Sequence, residues 1–261
     1  MLLTKIIDKE IRLSKSIGNK PRFTGIDFDS RNIKKGMIFA AIEGIKNNGI
    51  DFCDKALEAG AETILCNNKD LKKIIKKEVN ILTTQNVRLS LSLISKKLFP
   101  KQPKNIVAIT GTNGKTSIAF YLKSIWKAAD INSATIGTLG IGYGNKNIDT
   151  KLTTPDAITL HKFIDFFKTK NIEYIALEAS SHGIKQSRID SLKVNRAVFA
   201  SFSRDHLDYH KSLEDYFNTK KRLFSEILDK KGIAVVNNFC KFGKKVEELC
   251  KNKNIKVVTY G

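Results

Sequence analysis

Residues 106–116 read Ile-Val-Ala-Ile-Thr-Gly-Thr-Asn-Gly-Lys-Thr, an apolar, β-branched run that stops on two glycines, a lysine and a threonine. The run is apolar throughout and does not alternate, which suits a strand buried on both faces of a parallel sheet. Just beyond it, Ile118, Leu122, Ile125 and Ala129 recur at helical spacing. A strand, a glycine-rich turn and a helix in that order aim several backbone N–H groups at one point, where the helix dipole adds positive potential. The turn is therefore expected to hold a phosphate group. Lys115 would reach the β- and γ-phosphates of ATP, and the Thr116 hydroxyl would ligate Mg²⁺. The pattern is GxxGKT, because Ile109 stands where GxxxxGK[ST] has its first glycine. Gly111, Thr112, Asn113, Gly114, Lys115 and Thr116 are thus the candidate nucleotide contacts.

Further apolar runs follow at Tyr174 to Leu177, Ala197 to Ala200, Ile233 to Val236 and Lys256 to Thr259, separated by helical patterns. Their alternation predicts a doubly wound α/β domain with a mostly parallel sheet. Upstream, Pro100 and Pro103 bracket a break, since each restricts its preceding residue to extended conformations. This places a boundary between a small α/β domain over 1–100 and a larger one over 101–261. In the first domain, Met37 to Ile42 and Thr63 to Cys66 are short apolar runs, and the start, MLLTKIIDKEIRL, reads as an amphipathic helix. Its charges come too early for a signal peptide.

The chain has 46 Lys plus Arg against 26 Asp plus Glu, a formal charge of +20 over 261 residues. Such an excess raises the prospect of a polyanionic partner, and clustering is the test. Residues 1–100 carry 19 basic and 11 acidic side chains and residues 101–261 carry 27 and 15, so the density is nearly even. Only 8 of the cations are Arg, the residue whose planar fork reads phosphates and bases bidentately. Solvated surface charge is the expectation, with no nucleic-acid partner. No apolar run approaches the roughly 18 residues of a membrane span, and four cysteines without CxxC spacing point to reduced thiols. A cytoplasmic protein without membrane contacts is expected.

Two more segments carry chemistry. Glu178 ends the strand at 174–177, in Glu-Ala-Ser-Ser-His-Gly, where a carboxylate is well placed to hold a nucleotide's Mg²⁺. Ser203-Arg-Asp-His-Leu-Asp-Tyr-His210 follows the strand at 197–200. His182, His206 and His210, three of four histidines, fall in these two loops, which favours a metal and phosphate site. Spacing alone supports an enzyme that positions the γ-phosphate of ATP beside a second substrate, without naming that substrate.

ITGTNGKT at 109–116, TTP at 153–155, EASSHG at 178–183, SRDHLDYH at 203–210 and YFNTKKRLF at 216–224 occur in the order seen in Mur ligases, which the chain resembles along essentially its whole length. DSRNIKKGMIFAAIEG at 29–44 is similar to the segment on the uridine side of the same enzymes. The resemblance is greatest to the branch that adds the third residue of the peptidoglycan stem peptide. It implies an ATP-dependent amide ligase, in which the D-Glu carboxylate of UDP-MurNAc-L-Ala-D-Glu is phosphorylated and the amine of a diamino acid, diaminopimelate or lysine, displaces phosphate. By motif, Thr116, Glu178, His206 and Lys220 would bind Mg²⁺, Lys220 as a carbamate, and Lys115, His206 and Lys220 would be catalytic. Thr153, Thr154, Ser181, Gln186 and Arg188 would hold the muramoyl substrate, with Ser30 near the uridine. Asn48 stands where the family usually has Asp before Gly. Family members have three domains, so the amino-acid-binding third domain is expected to be absent from 1–261. A monomer is expected.

Three other readings stay open on sequence alone. They are another step of stem-peptide assembly, a folate polyglutamylating ligase, and a nucleic-acid-binding NTPase, the last lacking any Arg cluster or aromatic-basic stripe to support it.

Overall fold

The computed structural model describes residues 1–18, 20–44 and 47–261, which form two compact units, Met1–Leu98 and Phe99–Gly261. The units meet two residues before the boundary expected from Pro100.

In the first unit the strands are β1 (Arg12–Lys15), β2 (Ile26–Asp27), β3 (Met37–Ala40), β4 (Ala61–Asn67) and β5 (Asn80–Thr84), and the helices are α1 (Cys53–Glu58), α2 (Leu71–Ile74) and α3 (Val87–Leu98). The sheet order is β1-β5-β4-β3-β2, with β2 to β5 parallel and β1 antiparallel to β5. The amphipathic helix expected at the start is not formed. Leu3–Lys5 makes one 3₁₀ turn, and Asp8 then accepts hydrogen bonds from the backbone N–H groups of Glu10 (2.9 Å) and Ile11 (3.1 Å). A side chain that bonds its own following amides in this way competes with the helix and turns the chain into β1. Leu3, Ile6 and Ile11 still bury their side chains, so the apolar spacing was real while the helix was not. Cys53 and Cys66 are buried free thiols, which burial pushes up to about 12. Cys240 and Cys250 are also unpaired.

The second unit opens with β6 (Asn105–Thr110), α4 (Lys115–Ala128) and an extension of β7 (Ser133–Gly137), β8 (Gly140–Tyr143) and β9 (Lys146–Ile148). It continues with α5 (Ala157–Thr169), β10 (Tyr174–Glu178), α6 (Ser181–Lys185), β11 (Val194–Phe199), α7 (Leu213–Arg222), β12 (Leu228–Asn237), α8 (Lys241–Asn252) and β13 (Lys256–Tyr260). The sheet order is β13-β12-β11-β6-β10-β7-β8-β9. Its first six strands are parallel, and β8 and β9 continue it antiparallel.

One apolar cluster joins β6, β10 and β11 to Leu160 and Ile164 of α5, Phe217 of α7 and Val246 of α8. On the other side α4 contributes Ala119 and Trp126, which pack on Val107, Ile109, Ala176 and Val198. The face of α4 expected from periodicity is therefore rotated. Ile118 and Leu122 are half-buried and Ile125 is 63% exposed, because Trp126 is the large residue that reaches the sheet. Beyond α4 an apolar hollow of about 460 Å³ lies over Val107, Val198, Val235 and Tyr260. This topology puts the carboxyl ends of β6, β10 and β11 side by side, which is where open α/β sheets bind ligands.

Candidate active site

Gly114 caps α4 with a left-handed backbone (φ 86°), and Gly111 is in the same half of dihedral space (φ 156°). A Cβ on Gly111 would sit 2.9 Å from the backbone nitrogen of Ser201, so only glycine fits there. The first amides of α4 have no carbonyl below them and face the mouth of the loop. Lys115, on this first turn, donates to the carbonyls of Gly111 (2.9 Å) and Thr112 (2.8 Å). Burial lowers its pKa, with Glu178 and Asp205 opposing the shift.

The Thr116 hydroxyl donates to Glu178 Oε2 at 2.9 Å, which ties the phosphate loop to β10. Glu178 is 1% exposed, so it is a buried carboxylate and not a solvated strand end. Its cost of burial is offset by two further donors, the Thr138 backbone N–H at 3.0 Å and the Thr138 hydroxyl at 3.2 Å. Thr138 was not visible as a candidate in the sequence. The signal that could have found it is Gly137-Thr138 closing a short strand: a Cβ on Gly137 would lie 2.1 Å from Glu178 Oε1, so glycine clears the path to the carboxylate. The Thr138 hydroxyl also lies 3.1 Å from that of Thr153.

Lys220 sits in the last turn of α7, 1% exposed, and donates to the Gly111 carbonyl at 2.8 Å. Its ammonium lies 4.4 Å from the centre of the Tyr216 ring. Burial, with repulsion from Lys115, pushes its pKa down to about 7, so at neutral pH the amine is substantially uncharged. Lys221, its neighbour in sequence, lies over the Phe217 ring and does not share this burial.

Thr112, Asn113, Gly114, Lys115, Thr116, Thr138, Thr153, Glu178, Ser181, His206 and Lys220 all line one cleft of about 350 Å³. Among the described residues the Ser181 hydroxyl, buried there, has no hydrogen-bond partner, an unmet polar atom on the wall of the cleft. The three histidines converge as their spacing suggested. His182 lies 5.1 Å from His206 and 6.1 Å from His210, ring centre to ring centre, and stacks on Tyr209 at 3.9 Å. Burial lowers the pKa of His182, and the neighbouring imidazoles add to the effect. His206 has positive φ (53°) and a half-exposed ring.

Thr154, Gln186 and Arg188 stand behind the cleft wall. The Thr154 hydroxyl donates to the Glu178 carbonyl (2.7 Å), Arg188 donates to the Thr154 carbonyl and to Gln186 Oε1 (2.7 Å), and Gln186 donates to the Tyr209 hydroxyl (3.1 Å). Ser30 belongs to the first unit, where it opens the 3₁₀ turn Ser30–Asn32. Asp29 just before it caps that turn and pairs with Arg31 at 2.6 Å, which holds the Asp29 carboxyl below its ordinary range. Of the segment 45–49, Ile45 and Lys46 lie outside the described residues. Asn48 caps the 3₁₀ turn that follows by accepting from the Ile50 N–H (3.3 Å), a task that Asn and Asp perform alike.

As a cation site the cleft offers the Thr116 hydroxyl, the Glu178 carboxylate and the His206 imidazole. Among the described residues no three His, Cys, Asp or Glu side chains gather into a metal cluster. One carboxylate and one hydroxyl suit Mg²⁺, which keeps waters and takes phosphate oxygens in preference to an all-protein cage. Lys220 as an amine cannot join that set.

Residues 109–261 match the Mur ligase middle domain, and residues 22–97 match the Mur ligase family catalytic domain. The chain belongs to the Mur ligase family. Among curated relatives, a UDP-N-acetylmuramoyl-L-alanyl-D-glutamate–2,6-diaminopimelate ligase of Mesorhizobium japonicum is 38% identical over 213 residues, 82% of this chain and 44% of the relative. The protein of the same name from Rickettsia prowazekii is 36% identical over 244 residues, 92% of this chain and 50% of the relative. The chain thus spans about half the length of the curated relatives it matches. A solved ligase of that name superposes with a TM-score of 0.77 at 29% identity, over 91% of this chain and 48% of its own. The fold is also that of a Thermotoga maritima MurF ligase solved with ADP (TM-score 0.58, 20% identity, 92% of this chain and 50% of that one). Among the described residues no helix is long and apolar enough to cross a membrane.

Proposed function

We propose that this Mur ligase chain carries the ATP and UDP-sugar residues of an enzyme that joins 2,6-diaminopimelate to the D-Glu carboxylate of UDP-MurNAc-L-Ala-D-Glu. The observation that carries the reading is that Lys115, Thr116, Glu178, Ser181, His206 and Lys220, from four separate segments, line one cleft with an unmet hydroxyl inside it. The names of the 36–38% identical relatives favour diaminopimelate over lysine and over other stem-peptide steps. Folate-type ligases share the fold at a lower score, 0.53 for an Escherichia coli FolC solved with ADP, at 16% identity. In this reading the unit Phe99–Gly261 binds ATP, the unit Met1–Leu98 binds the uridine end through Ser30, and catalysis takes place in the cytoplasm.

The residues act as follows. The Lys115 ammonium leaves the carbonyls of Gly111 and Thr112 and, with the first amides of α4, takes the β- and γ-phosphates, holding the γ-phosphorus in line with the substrate carboxylate. Thr153 and Ser181 orient that carboxylate, and Arg188 and Gln186 fix the wall behind them. Thr116, Glu178 and His206 would hold Mg²⁺, which when bound neutralises charge developing on the phosphates. The uncharged form of the Lys220 amine, about half of it near pH 7, would add to CO₂ and release one proton to become a carbamate anion, which would offer a hard oxygen ligand to a second Mg²⁺. The substrate carboxylate attacks the γ-phosphorus and expels ADP; the free amine of the diamino acid then attacks the acyl phosphate carbon, expels inorganic phosphate and gives up one proton to leave the amide.

Titration of the chain with a fluorescent ADP analogue in the presence of Mg²⁺ tests the reading. The wild type is expected to bind, and Lys115→Ala to bind about 10- to 100-fold more weakly, as suits loss of a charge-assisted contact. Equal binding by the two would overturn the phosphate-loop assignment.

A further inference from the structure

The phosphate loop is held from outside by the segment that follows β11, where the Thr112 hydroxyl accepts from the Ser203 N–H (3.0 Å) and donates to the Ser203 carbonyl (3.2 Å), and where one hydroxyl holds Asn113. Ser201 Oγ accepts a hydrogen bond from the Asn113 N–H at 2.9 Å and donates one to the Asn113 carbonyl, also at 2.9 Å. A hydroxyl has one proton and two lone pairs, so it can meet both demands of a single peptide residue at once. The Ser201 carbonyl meanwhile accepts from the Thr112 N–H at 3.0 Å, and Gly111 packs so closely on Ser201 that a methyl group there has no room. Behind Ser201, the Ala200 carbonyl accepts from the Asn237 side chain (3.1 Å) and the Tyr260 hydroxyl (3.3 Å), which anchors the segment to the ends of β12 and β13.

Two consequences follow for ligand binding. The Asn113 amide points at Ser201 and is not a phosphate donor, so the anion is left to the amides of the first turn of α4 and to Lys115. The direction of that turn depends on where Asn113 is fixed, since Gly111 and Gly114 on either side have the widest backbone freedom in the loop. A loop hinged on two glycines needs an outside constraint if its amides are to be pre-aimed, and pre-aiming lowers the ordering cost of binding.

We propose that Ser201 is a positioning residue for the nucleotide, clamping Asn113 so that the α4 amides and Lys115 are pre-organised for a polyphosphate. This rests on the phosphate-loop reading above. Ser201 is not among the residues that line the cleft. Ser201→Ala removes both bonds and leaves the Asn113 amide and carbonyl to solvent. Ser201→Thr keeps the hydroxyl.

The test uses the whole chain and two readouts. In the absence of nucleotide, residue-resolved amide hydrogen exchange should show the Asn113 N–H exchanging at least tenfold faster in Ser201→Ala than in the wild type, with core β6 amides unchanged. Titration with the fluorescent ADP analogue and Mg²⁺ should show Ser201→Ala binding about tenfold more weakly and Ser201→Thr restored to within about threefold of the wild type. Unchanged Asn113 exchange, unchanged ADP affinity in Ser201→Ala, or no rescue by Ser201→Thr overturns the proposal. If Lys115→Ala weakens binding while Ser201→Ala does not, the clamp fails and the phosphate loop stands. A wild-type chain that takes up no ADP overturns both.

Discussion

Lys115 and Lys220 donate to the same oxygen, the carbonyl of Gly111, from regions built on opposite principles. The phosphate loop around Lys115 is held by hydrogen bonds and by glycines in conformations other residues resist. The α7 segment around Lys220 is held by packing. Phe217 on α7 lies 4.8 Å from the Phe242 ring, 5.6 Å from Phe202 and 6.4 Å from Phe199, and Phe224, just past the end of α7, also contacts Phe199. The difference separates two jobs. A loop whose amides must meet a ligand cannot be buried, whereas an amine that must be neutral near pH 7 has to be. Each lysine's surroundings set its ionisation: Lys115 is half-buried and Lys220 is fully buried.

This contrast breaks first at the packing. Phe217→Ala is expected to destabilise the second unit by about 3–5 kcal/mol, the cost of emptying an aromatic core site. Denaturant titration followed by the near-ultraviolet signal measures it, and a loss below about 1 kcal/mol would show that α7 is not held this way. Gly111→Ala comes next, at about 1–3 kcal/mol, from the strained backbone and the collision with Ser201. It should also weaken nucleotide binding, so a variant with wild-type stability and affinity would count against the hydrogen-bonded description of the loop.

Lys220→Met keeps the buried stem and removes the charge. The folded Lys220 pKa of about 7 lies below the ordinary lysine value of 10.5, so between these limits the unfolded chain holds more protons at this site than the folded one. Through this group stability is lowest below about pH 7 and rises as pH climbs through the window. The variant should therefore melt higher than the wild type at pH 6, and the gap should shrink by pH 9. A gap that is constant or widens with pH rejects the buried, uncharged amine. The smallest effect is expected from Tyr216→Phe, which removes the 3.3 Å contact between the Tyr216 and Thr112 hydroxyls. About 0.5–1.5 kcal/mol is at stake, and thermal melts of the two proteins side by side would resolve it.

The same division explains what could be read from the sequence. Apolar runs and a glycine-rich turn are local signals, and β6, β10, β11, β12 and β13 all form where such runs stand. The strands β7 to β9 escaped notice because Ser133–Gly137 and Gly140–Tyr143 are short and rich in small residues. The start of the chain departs from the helix that its apolar spacing predicts because a single Asp8 turn outweighs that spacing. In the cleft, the residues of GTNGKT and Glu178 are announced by neighbours in sequence. Thr138 and Ser201 are not, because their partners lie 40 and 88 residues away and only the sheet order brings them together.

That sheet order also bears on how the chain is made. β6 is the first strand of its unit to be synthesised, yet it sits between β10 and β11, and its Ile106 N–H pairs with an Asn195 side chain 89 residues later. At translation rates of roughly 5–20 residues per second, its apolar run waits on the order of 10 s for its neighbours to emerge. The strand that delivers the phosphate loop is thus the one most exposed to misassociation on the ribosome, and capture by a chaperone at that stage would be expected to raise the yield of folded protein.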